Sequence, residues 1–273
     1  MNLVNGKPKS SISIFDRGFL YGDGVFETIL VLEKNPINIK LHLKRIKTSC
    51  KSLKIKNLNQ GKLISYISKA LSDQNNCVLN INITRGTVKK RGYNINIGNI
   101  SPNIILTTSQ IPKFPKEYNI NGVNTKYSKT KLYKTIGPLE NIKHTNRLVQ
   151  VIATNELSKK FPELIMCDPN NNIIEGISSN IFFVKGKTFY TPDLYGNSVN
   201  GVMRNFIINI LIKNKYNIKF KKINISDIKK FDGAFFCNSI RLVWNINSIA
   251  GHKYLKNKNI LNLIKLINNE IFK

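Results

Sequence analysis

Segments that favour strands alternate with segments that favour helices along almost the whole chain, and this alternation limits the possible folds most strongly. Runs rich in β-branched and aromatic residues, such as 25–33, are typical of strands. Runs with apolar residues at helical spacing, such as 39–53, favour amphipathic helices. Proline and glycine interrupt both patterns in 110–128. The sequence therefore predicts an α/β (α+β) protein with two lobes and a hinge near residue 115.

The predicted elements lie on both sides of this hinge. Strands are predicted at 2–7, 11–16, 25–33, 77–86 and 103–110, and as several short strands within 164–193 and 232–251. A glycine-containing loop at 84–98 is expected to join 77–86 to 103–110 as a strand pair. Helices are predicted at 39–53, 62–73, 144–160, 201–215 and 261–272. The predicted domains are a small one at 1–112, a linker at 113–126 and a larger one at 127–273.

The formal net charge of +28 over 273 residues raises the question of nucleic-acid or membrane-surface binding. Only seven of the 43 cations are arginines, and the lysines are spread along the chain. Arginine forks and basic residues interleaved with exposed aromatics, which are typical of nucleic-acid binding, are missing. With 41% hydrophobic residues the chain has enough apolar surface for a core, which excludes a disordered protein. We therefore expect neither a nucleic-acid nor a membrane partner.

The spacing of the cysteines and the composition of the first residues bear on the cellular location of the protein. The four cysteines are widely separated, without CxxC pairs or histidines at metal-ligand spacing, so no metal site is predicted. The start of the sequence lacks the apolar segment of a signal peptide, and no run of about 18 apolar residues would span a membrane. We expect a protein of the reducing cytoplasm.

Two charged residues are candidates for chemistry. Lys143 follows an apolar residue near a predicted helix start, where partial desolvation would suit a base or a Schiff-base amine. Considered alone, it is one of 36 lysines, and a surface role is the simpler interpretation. Glu175 lies between apolar strand residues and a Gly–Ser–Ser turn, a costly position for an unpaired charge. It could pair with a buried cation or hold a proton on a heterocyclic nitrogen, and local sequence does not decide between these roles.

Other segments could bind anions. Gly201, Val202 and Met203 open a predicted helix whose backbone N–H groups could hold a phosphate. Arg45 could supply a bidentate guanidinium, and Asn238 and Ser239 could add donors. Each of these signals is weak alone. The loop with Arg85, Arg91 and Tyr93 could capture carboxylates, although for this loop alone a hairpin tip with solvated cations is the preferred interpretation.

Seven blocks in order resemble the fold-type IV pyridoxal-phosphate (PLP) enzymes, a family with branched-chain and D-amino-acid aminotransferases and 4-amino-4-deoxychorismate lyases. The resemblance extends from residue 1 to about residue 250. It rests on DRGFLYGDGVFETI (16–29), LHLKR (41–45), ITRG (83–86), NIKHTNRLVQ (141–150), EGISSNIFF (175–183), GVMRNFII (201–208) and CNSIRLV (237–243). The Lys-His-x-Asn-Arg and Asn-Ser-x-Arg-x-Val stretches and the short length resemble the lyases most.

The resemblance implies roles for individual residues. Lys143 would be the catalytic lysine joined covalently to PLP, and Glu175 the carboxylate facing the pyridine nitrogen, with Asn180 orienting the cofactor. The remaining residues that the resemblance assigns are the phosphate ligands Arg45, Val202, Met203, Asn238 and Ser239, and the substrate contacts Arg91, Tyr93 and Phe26.

The resemblance also implies the fold and the reaction. It predicts the two-lobed fold-type IV structure, with a small N-terminal and a larger C-terminal domain and the cofactor between them, in a homodimer. It predicts conversion of 4-amino-4-deoxychorismate, a dicarboxylate, into p-aminobenzoate and pyruvate for folate biosynthesis. The alternative is an aminotransferase acting on branched-chain or D-amino acids. Leu148 in place of the aminotransferases' tyrosine, and Arg91-Gly92-Tyr93 in place of Arg-x-His, favour the lyase.

Overall fold

The computed structural model describes residues 1–95, 98–194, 196 and 198–272. The chain forms two compact units, of which the first comprises Met1–Pro112 and Ile142–Asn146 and the second comprises Lys113–Asn141 and Arg147–Lys273. Lys143 therefore belongs to the first unit, whereas the sequence analysis assigned it to the larger C-terminal domain. The predicted loop at 84–98 includes Asn96 and Ile97, which lie outside the described residues.

The described residues of the first unit form six strands and three helices. The strands are β1 (Asn2–Val4), β2 (Lys7–Pro8), β3 (Gly24–Leu32), β4 (Asn35–Pro36), β5 (Cys77–Thr84) and β6 (Asn103–Ser109), and the helices are α1 (Arg17–Tyr21), α2 (Ile39–Ser52) and α3 (Gln60–Leu71). The strands pair antiparallel in the order β2-β1-β6-β5-β3-β4. One face of this sheet is apolar and packs with α2 and α3, because strand side chains alternate between faces.

Side chains of β3 alternate between the two faces of the sheet, and this places Glu27 and Phe26 on opposite faces. Val25 and Ile29 are buried in the core of the first unit, so Glu27 between them lies on the same face of the strand. Phe26 points to the opposite face and is half-buried. A carboxylate is thus held on the core face of the sheet, where it requires partners.

In the described part of the second unit, ten strands and four helices are present, with three short 3-10 helices. The strands are β7 (Val123–Thr125), β8 (Ile165–Cys167), β9 (Asn172–Gly176), β10 (Asn180–Lys185), β11 (Thr188–Thr191), β12 (Asn217–Phe220), β13 (Ile223–Asn224), β14 (Gly233–Asn238), β15 (Leu242–Ile249) and β16 (His252–Lys253). The helices are α4 (Lys116–Ile120), α5 (Leu148–Ala153), α6 (Val202–Lys213) and α7 (Lys258–Ile271), and the 3-10 helices are Gly137–Leu139, Thr154–Glu156 and Ile225–Lys230.

Two sheets organise the second unit. Seven strands form one sheet in the order β12-β11-β10-β14-β15-β16, with β7 also paired to β15, and three strands form another in the order β13-β9-β8. Successive residues of β10 enter different cores: Ile181 and Phe183 lie in one cluster, and Phe182 and Val184 in another that includes residues of α6 and α7. Both faces of the central strands are therefore buried, which explains their continuous apolar sequence.

Most of the predicted elements are confirmed, with three exceptions. The predicted strand at 2–7 is a hairpin of two short strands, β1 and β2, joined by Asn5 and Gly6. The segment 11–16 is not a strand: it contains only a single bridge, between Asp16 and Thr87, and Asp16 caps α1 by accepting from the N–H groups of Gly18 and Phe19. The predicted helix at 144–160 is much shorter, since α5 covers only Leu148–Ala153. Among the helices of the described ranges, none is both long and apolar enough to cross a bilayer.

Candidate active site

Lys143 lies in a short extended segment that adds to the edge of β3. The Phe26 N–H donates to the Lys143 carbonyl oxygen at 3.0 Å, and the Thr145 N–H donates to the Gly24 carbonyl oxygen at 3.0 Å. His144 and Val25 form the antiparallel bridge between these two bonds. The half-buried Lys143 side chain places its Nζ 4.2 Å from the centroid of the Phe26 ring. The backbone of β3 thus fixes the position of this amine.

Glu27, His42 and Arg45 form a buried network behind this segment. His42 and Arg45 lie three residues apart on one face of α2. The Glu27 Oε2 atom lies 2.6 Å from His42 Nδ1, and Arg45 Nε and Nη2 bind the two Glu27 oxygens at 2.6 Å each. Glu27 and His42 are almost fully buried. The bidentate pair holds the guanidinium of Arg45 in one orientation.

The charges in this network follow from burial and proximity. Burial alone would raise the pKa of Glu27, but the charge and hydrogen bonds of Arg45 outweigh it and lower that pKa to about 2. Burial lowers the pKa of His42, and the positive charges of Arg45 and Lys143 also lower it, against the opposite effect of Glu27. Because ionised Glu27 only accepts, Nδ1 of neutral His42 carries the proton and donates. Its Nε2 atom is buried without a hydrogen-bond partner among the described residues.

Glu175 is a buried carboxylate in β9 of the second unit. Its Oε2 atom accepts from the Val199 N–H at 3.0 Å and from the Asn180 side-chain amide at 3.3 Å. Asn180 also donates to the Val199 carbonyl oxygen at 3.0 Å. The predicted pair Glu175 and Asn180 is therefore brought together, on the strands β9 and β10 that flank the Gly–Ser–Ser turn. The segment that leads into α6 is joined to the same carboxylate.

The first turn of α6 begins beside Asn180. Gly201 is the N-terminal cap and offers no side chain to the N–H groups of Val202 and Met203. A Cβ atom at position 201 would lie 1.9 Å from Asn180 Oδ1, so any other residue here would displace the Asn180 amide or the helix start. The positive end of a 12-residue helix is thus held next to Asn180 and, through it, to Glu175.

Asn238 and Ser239 lie in the turn between β14 and β15. Asn238 Oδ1 accepts from the N–H groups of Ile240 and Arg241 at 3.0 and 2.8 Å, and its amide donates to the Ser178 carbonyl oxygen at 3.1 Å. Asn238 thus stabilises its own turn and ties it to the turn that follows Glu175. The Ser239 side chain is half-buried beside it.

Arg241 strengthens the link between these two turns. Its Nη2 atom binds the buried Glu163 carboxylate and the Ser178 hydroxyl, and donates to the Ser179 hydroxyl at 2.8 Å. Glu163 also accepts from the hydroxyls of Ser178 and Ser179, at 2.7 and 2.9 Å. The Gly–Ser–Ser turn is therefore fixed by a buried ion pair.

Arg91 and Tyr93 lie in a loop anchored to α1 in the first unit. Arg17 donates to the carbonyl oxygens of Gly92 and Tyr93 at 2.8 and 3.3 Å. The Gly92 N–H bonds the Tyr21 hydroxyl, and this bond, with the Arg91 side chain and the Arg17 charge, lowers the pKa of Tyr21. The Tyr93 side chain is 85% exposed, and its ring lies 5.4 Å from that of Tyr21. Arg91 and Tyr93 are thus accessible, whereas Arg85, which was predicted with them, is buried and paired with Asp23.

Four members of these networks were not predicted from the sequence. Glu27 and His42 stand within two of the quoted blocks, and the period-two position of Glu27 between apolar residues was the signal that could have revealed a buried carboxylate. Arg241 also stands in a quoted block. Its partner Glu163 lies 78 residues away, which no local pattern reveals.

The class IV aminotransferase family matches residues 24–249, and the chain belongs to this family. The aminodeoxychorismate lyase of Vibrio harveyi is 28% identical over 90% of this chain and 90% of its own length. The D-alanine aminotransferase of Staphylococcus aureus (strain MSSA476) is 28% identical over 78% of this chain and 74% of its own length. The crystal structure of the 4-amino-4-deoxychorismate lyase of Pseudomonas aeruginosa matches with a TM-score of 0.94 at 29% identity, over 99% of both chains.

PLP is the cofactor of this family, and the residues present fit it. In the first unit, a half-buried amine at Lys143 and the fixed guanidinium of Arg45 are groups of the kind that bind PLP. In the second unit, such groups are the buried carboxylate of Glu175 and the N-terminus of α6, where a Cβ on residue 201 would meet Asn180.

Proposed function

We propose that the protein is a PLP-dependent 4-amino-4-deoxychorismate lyase, which forms p-aminobenzoate and pyruvate for folate biosynthesis. Support comes from the similarity to lyases of Vibrio harveyi and Pseudomonas aeruginosa over at least nine-tenths of each chain. A second relative with the name aminodeoxychorismate lyase, from Bacillus subtilis (strain 168), is 26% identical over 88% of this chain. The fold-type IV resemblance and these relatives agree on the reaction class.

Lys143 is the residue that binds PLP covalently and then moves protons. When bound, PLP supplies an electron sink that stabilises negative charge on the carbon next to the substrate amine. Lys143 removes the proton from the amine-bearing ring carbon and returns a proton to the departing enolpyruvyl group. The ether C–O bond breaks, the ring becomes aromatic, and pyruvate leaves. No amino acceptor is consumed.

The other predicted ligands hold the cofactor. Glu175 keeps the pyridine nitrogen protonated, which maintains the electron sink, and Asn180 orients the ring face. The N–H groups of Val202 and Met203 bind the phosphate with the help of the α6 dipole. Arg45 adds its guanidinium, and Asn238 and Ser239 add donors from the turn between β14 and β15.

Arg91, Tyr93 and Phe26 contact the substrate. The exposed cationic loop with Arg91 attracts a dicarboxylate, since opposite charges steer the approach of an ionic substrate. Tyr93 adds a hydroxyl donor on the same loop. The Phe26 ring, which already lies against the Lys143 side chain, offers an apolar surface to the substrate ring.

A single observation carries the reaction class: Glu175 is a buried carboxylate held by a backbone N–H and by Asn180, which itself contacts the start of α6. A buried carboxylate is stabilised in its ionised form by hydrogen bonds and by nearby positive charge. A protonated ring nitrogen of the cofactor would add such a charge. The neighbouring helix N-terminus would receive the phosphate of the same molecule.

Pyruvate release tests the lyase. Purified protein is incubated with 4-amino-4-deoxychorismate alone, and pyruvate and p-aminobenzoate are quantified. Equal amounts of the two products without any keto acid are expected, and the Lys143→Ala variant is expected to form neither. Turnover by that variant, or no pyruvate from the PLP-loaded wild type, contradicts the proposal.

A class IV aminotransferase is the second candidate, because the similarity to D-alanine aminotransferase is also 28%. This enzyme requires a keto-acid acceptor, whereas the lyase requires none. Incubation with D-alanine or a branched-chain amino acid and 2-oxoglutarate measures this activity. A rate of amino transfer above the rate of pyruvate release from 4-amino-4-deoxychorismate favours the aminotransferase.

The protein acts as a homodimer in this proposal. The side chains of Leu148, Val149, Val151 and Ile152 on α5 are 41–74% exposed, an unusual density of apolar surface for one short helix. A second copy of the chain would cover them. Light scattering is expected to give twice the chain mass, and Leu148→Asp is expected to shift it toward that of a single chain. A single-chain mass for the wild type contradicts this assembly.

The cytoplasm is the proposed location, with the small dicarboxylate as the partner and neither nucleic acid nor a membrane. All four cysteines are buried thiols. Burial raises the pKa of Cys50, Cys167 and Cys237 to about 12, which keeps them protonated and unreactive. Thiols of this kind suit a reducing compartment.

A further inference from the structure

A surface cavity of about 600 Å³ opens where α2 ends and α3 begins. Four of its lining residues are lysines: Lys47, Lys51, Lys54 and Lys56. All four are exposed, and none of them is in an ion pair with a residue of the described ranges. Its volume lies within the range of roughly 300–1,000 Å³ that is usual for sites of small molecules.

The charge around this cavity has one sign. Residues 34–72 contain nine lysines and one arginine, and no Asp or Glu occurs between Glu33 and Asp73. The one arginine, Arg45, is paired with buried Glu27. Elsewhere in the described chain exposed lysines do find carboxylates, as Lys230 does with Asp227 at 2.6 Å. The positive potential of the cavity is thus uncompensated by nearby residues of its own segment, and it attracts anions.

The backbone around the cavity adds to this potential. Gln60, the first residue of α3, lines the cavity, so the positive end of a 12-residue helix dipole lies at its wall. The carbonyl groups beyond the end of α2 would oppose an anion, but Arg85 neutralises two of them. Its Nη2 and Nη1 atoms donate to the carbonyl oxygens of Leu53 and Lys54 at 2.7 and 2.8 Å.

The floor of the cavity is apolar. Cys50 and Ile55 are buried and Leu58 is half-buried, and the three contribute the surface between the lysine side chains. A small inorganic anion gains no binding free energy from an apolar floor, and it fills only a small part of the cavity volume. A ligand with a flat apolar body and several negative charges uses both features, because the body removes apolar surface from water while the lysines bind the charges.

We propose that this cavity binds an amphiphilic polyanion with the chemistry of a nucleoside triphosphate. The base lies on the floor formed by Cys50, Ile55 and Leu58, and the phosphates bind Lys51 and Lys54. The site uses none of the residues that the proposed function assigns to PLP or to the substrate, so binding there is measured separately from the lyase activity.

Binding of ATP to the PLP-saturated protein tests the proposal by calorimetry at low salt. The test variant is Lys51→Gln/Lys54→Gln. The control is Lys40→Gln/Lys62→Gln, which removes the same charge from exposed positions of α2 and α3 that do not line the cavity. The test variant is expected to bind ATP about tenfold more weakly, since each exposed charge pair contributes roughly threefold. The control is expected to change affinity by less than about threefold.

Two further ligands distinguish the contribution of the lysine charges to ATP affinity from that of the apolar floor. Inorganic triphosphate and adenosine are each expected to bind more weakly than ATP. Three results overturn the proposal directly: no ATP binding, an equal loss of ATP affinity in both double variants, or triphosphate binding as tight as that of ATP. Tighter binding of a single-stranded oligonucleotide than of ATP, in competition for the same cavity, also overturns it. The last result would identify a nucleic-acid surface instead.

Discussion

Lys143 and Phe26 contact each other twice. The Phe26 N–H donates a 3.0 Å hydrogen bond to the Lys143 carbonyl oxygen, and the Lys143 ammonium lies 4.2 Å from the centroid of the Phe26 ring. The same residue of β3 therefore fixes both the backbone and the side chain of the proposed PLP lysine. A cation held over an aromatic face is restricted in orientation.

Replacement of Glu175 by glutamine tests its role at the pyridine nitrogen. The amide keeps the shape of the side chain but cannot stabilise a protonated ring, so the rate of pyruvate release is expected to fall by about a hundredfold or more. Steady-state kinetics measure this rate. Glu117→Gln, an exposed carboxylate of α4, is the control and is expected to keep the wild-type rate. A Glu175→Gln enzyme with more than half of the wild-type rate would show that the carboxylate has another role.

Replacement of Gly201 by alanine tests the approach of α6 to Asn180. The added Cβ would lie 1.9 Å from Asn180 Oδ1, so either the helix start or the amide must move. We expect the affinity for PLP to fall at least about tenfold, measured by absorbance titration of the apoprotein. Gly61→Ala in α3, where the nearest atom to the new Cβ is at 3.3 Å, is expected to leave PLP affinity unchanged. Equal PLP affinity in both variants would show that the N-terminus of α6 does not bind the phosphate of PLP.

Acid sensitivity tests the buried network of the first unit. The pKa of Glu27 is lowered from 4.5 to about 2 in the folded protein, because Arg45 outweighs the effect of burial. Its contribution to stability is therefore complete above pH 4.5 and is lost as the pH falls from 4.5 toward 2. This loss amounts to roughly 3 kcal/mol at most.

Urea unfolding at several pH values measures this contribution. The wild type is expected to lose more free energy of unfolding between pH 5 and pH 3 than Glu27→Gln, which lacks the titrating group. At pH 7 the variant is expected to be less stable by about 3 kcal/mol or more, because Arg45 loses its buried partner. The same pH dependence in both proteins would contradict an ionised Glu27.

Arg241 and Lys230 provide a contrast between a buried and an exposed ion pair. Arg241→Gln leaves Glu163 buried without its cation, and we expect a loss of about 3–5 kcal/mol in the free energy of unfolding. Lys230→Gln removes a pair whose lysine is exposed, and the expected loss is below about 1 kcal/mol. Denaturant unfolding measures both. The double variant Glu163→Gln/Arg241→Gln should recover part of the stability, and a further loss there would contradict the assigned pair.

Elements with a clear period were predictable from the sequence, as β3 and α2 illustrate. Each had a run of residues at a spacing that only one secondary structure buries well. The segment 11–16 alternates like a strand, but Asp16 accepts from two backbone N–H groups and starts α1 instead. In 144–160 the apolar residues suggested a long helix. There His144 and Thr145 instead extend along β3, a tertiary contact that local spacing does not encode.

The candidate site was predictable only as a set of ordered blocks. Lys143 could not be distinguished from the other lysines by its neighbours in sequence, and it was the order of the blocks that selected it. The connections that hold these residues are between distant positions. Asn180 lies 19 residues from Val199, and Arg241 lies 78 residues from Glu163. Such pairs depend on how strands meet in the sheet, which the local pattern does not determine.

The covalent link between Lys143 and PLP is the central claim. Borohydride reduction of the PLP-loaded protein, followed by proteolysis and mass spectrometry, identifies the modified lysine directly. We expect one stoichiometric label, on the peptide that contains Lys143, and none in Lys143→Ala, while Lys134→Ala keeps the label. A label on another lysine of the wild type, or no label at all, would contradict the proposed active site.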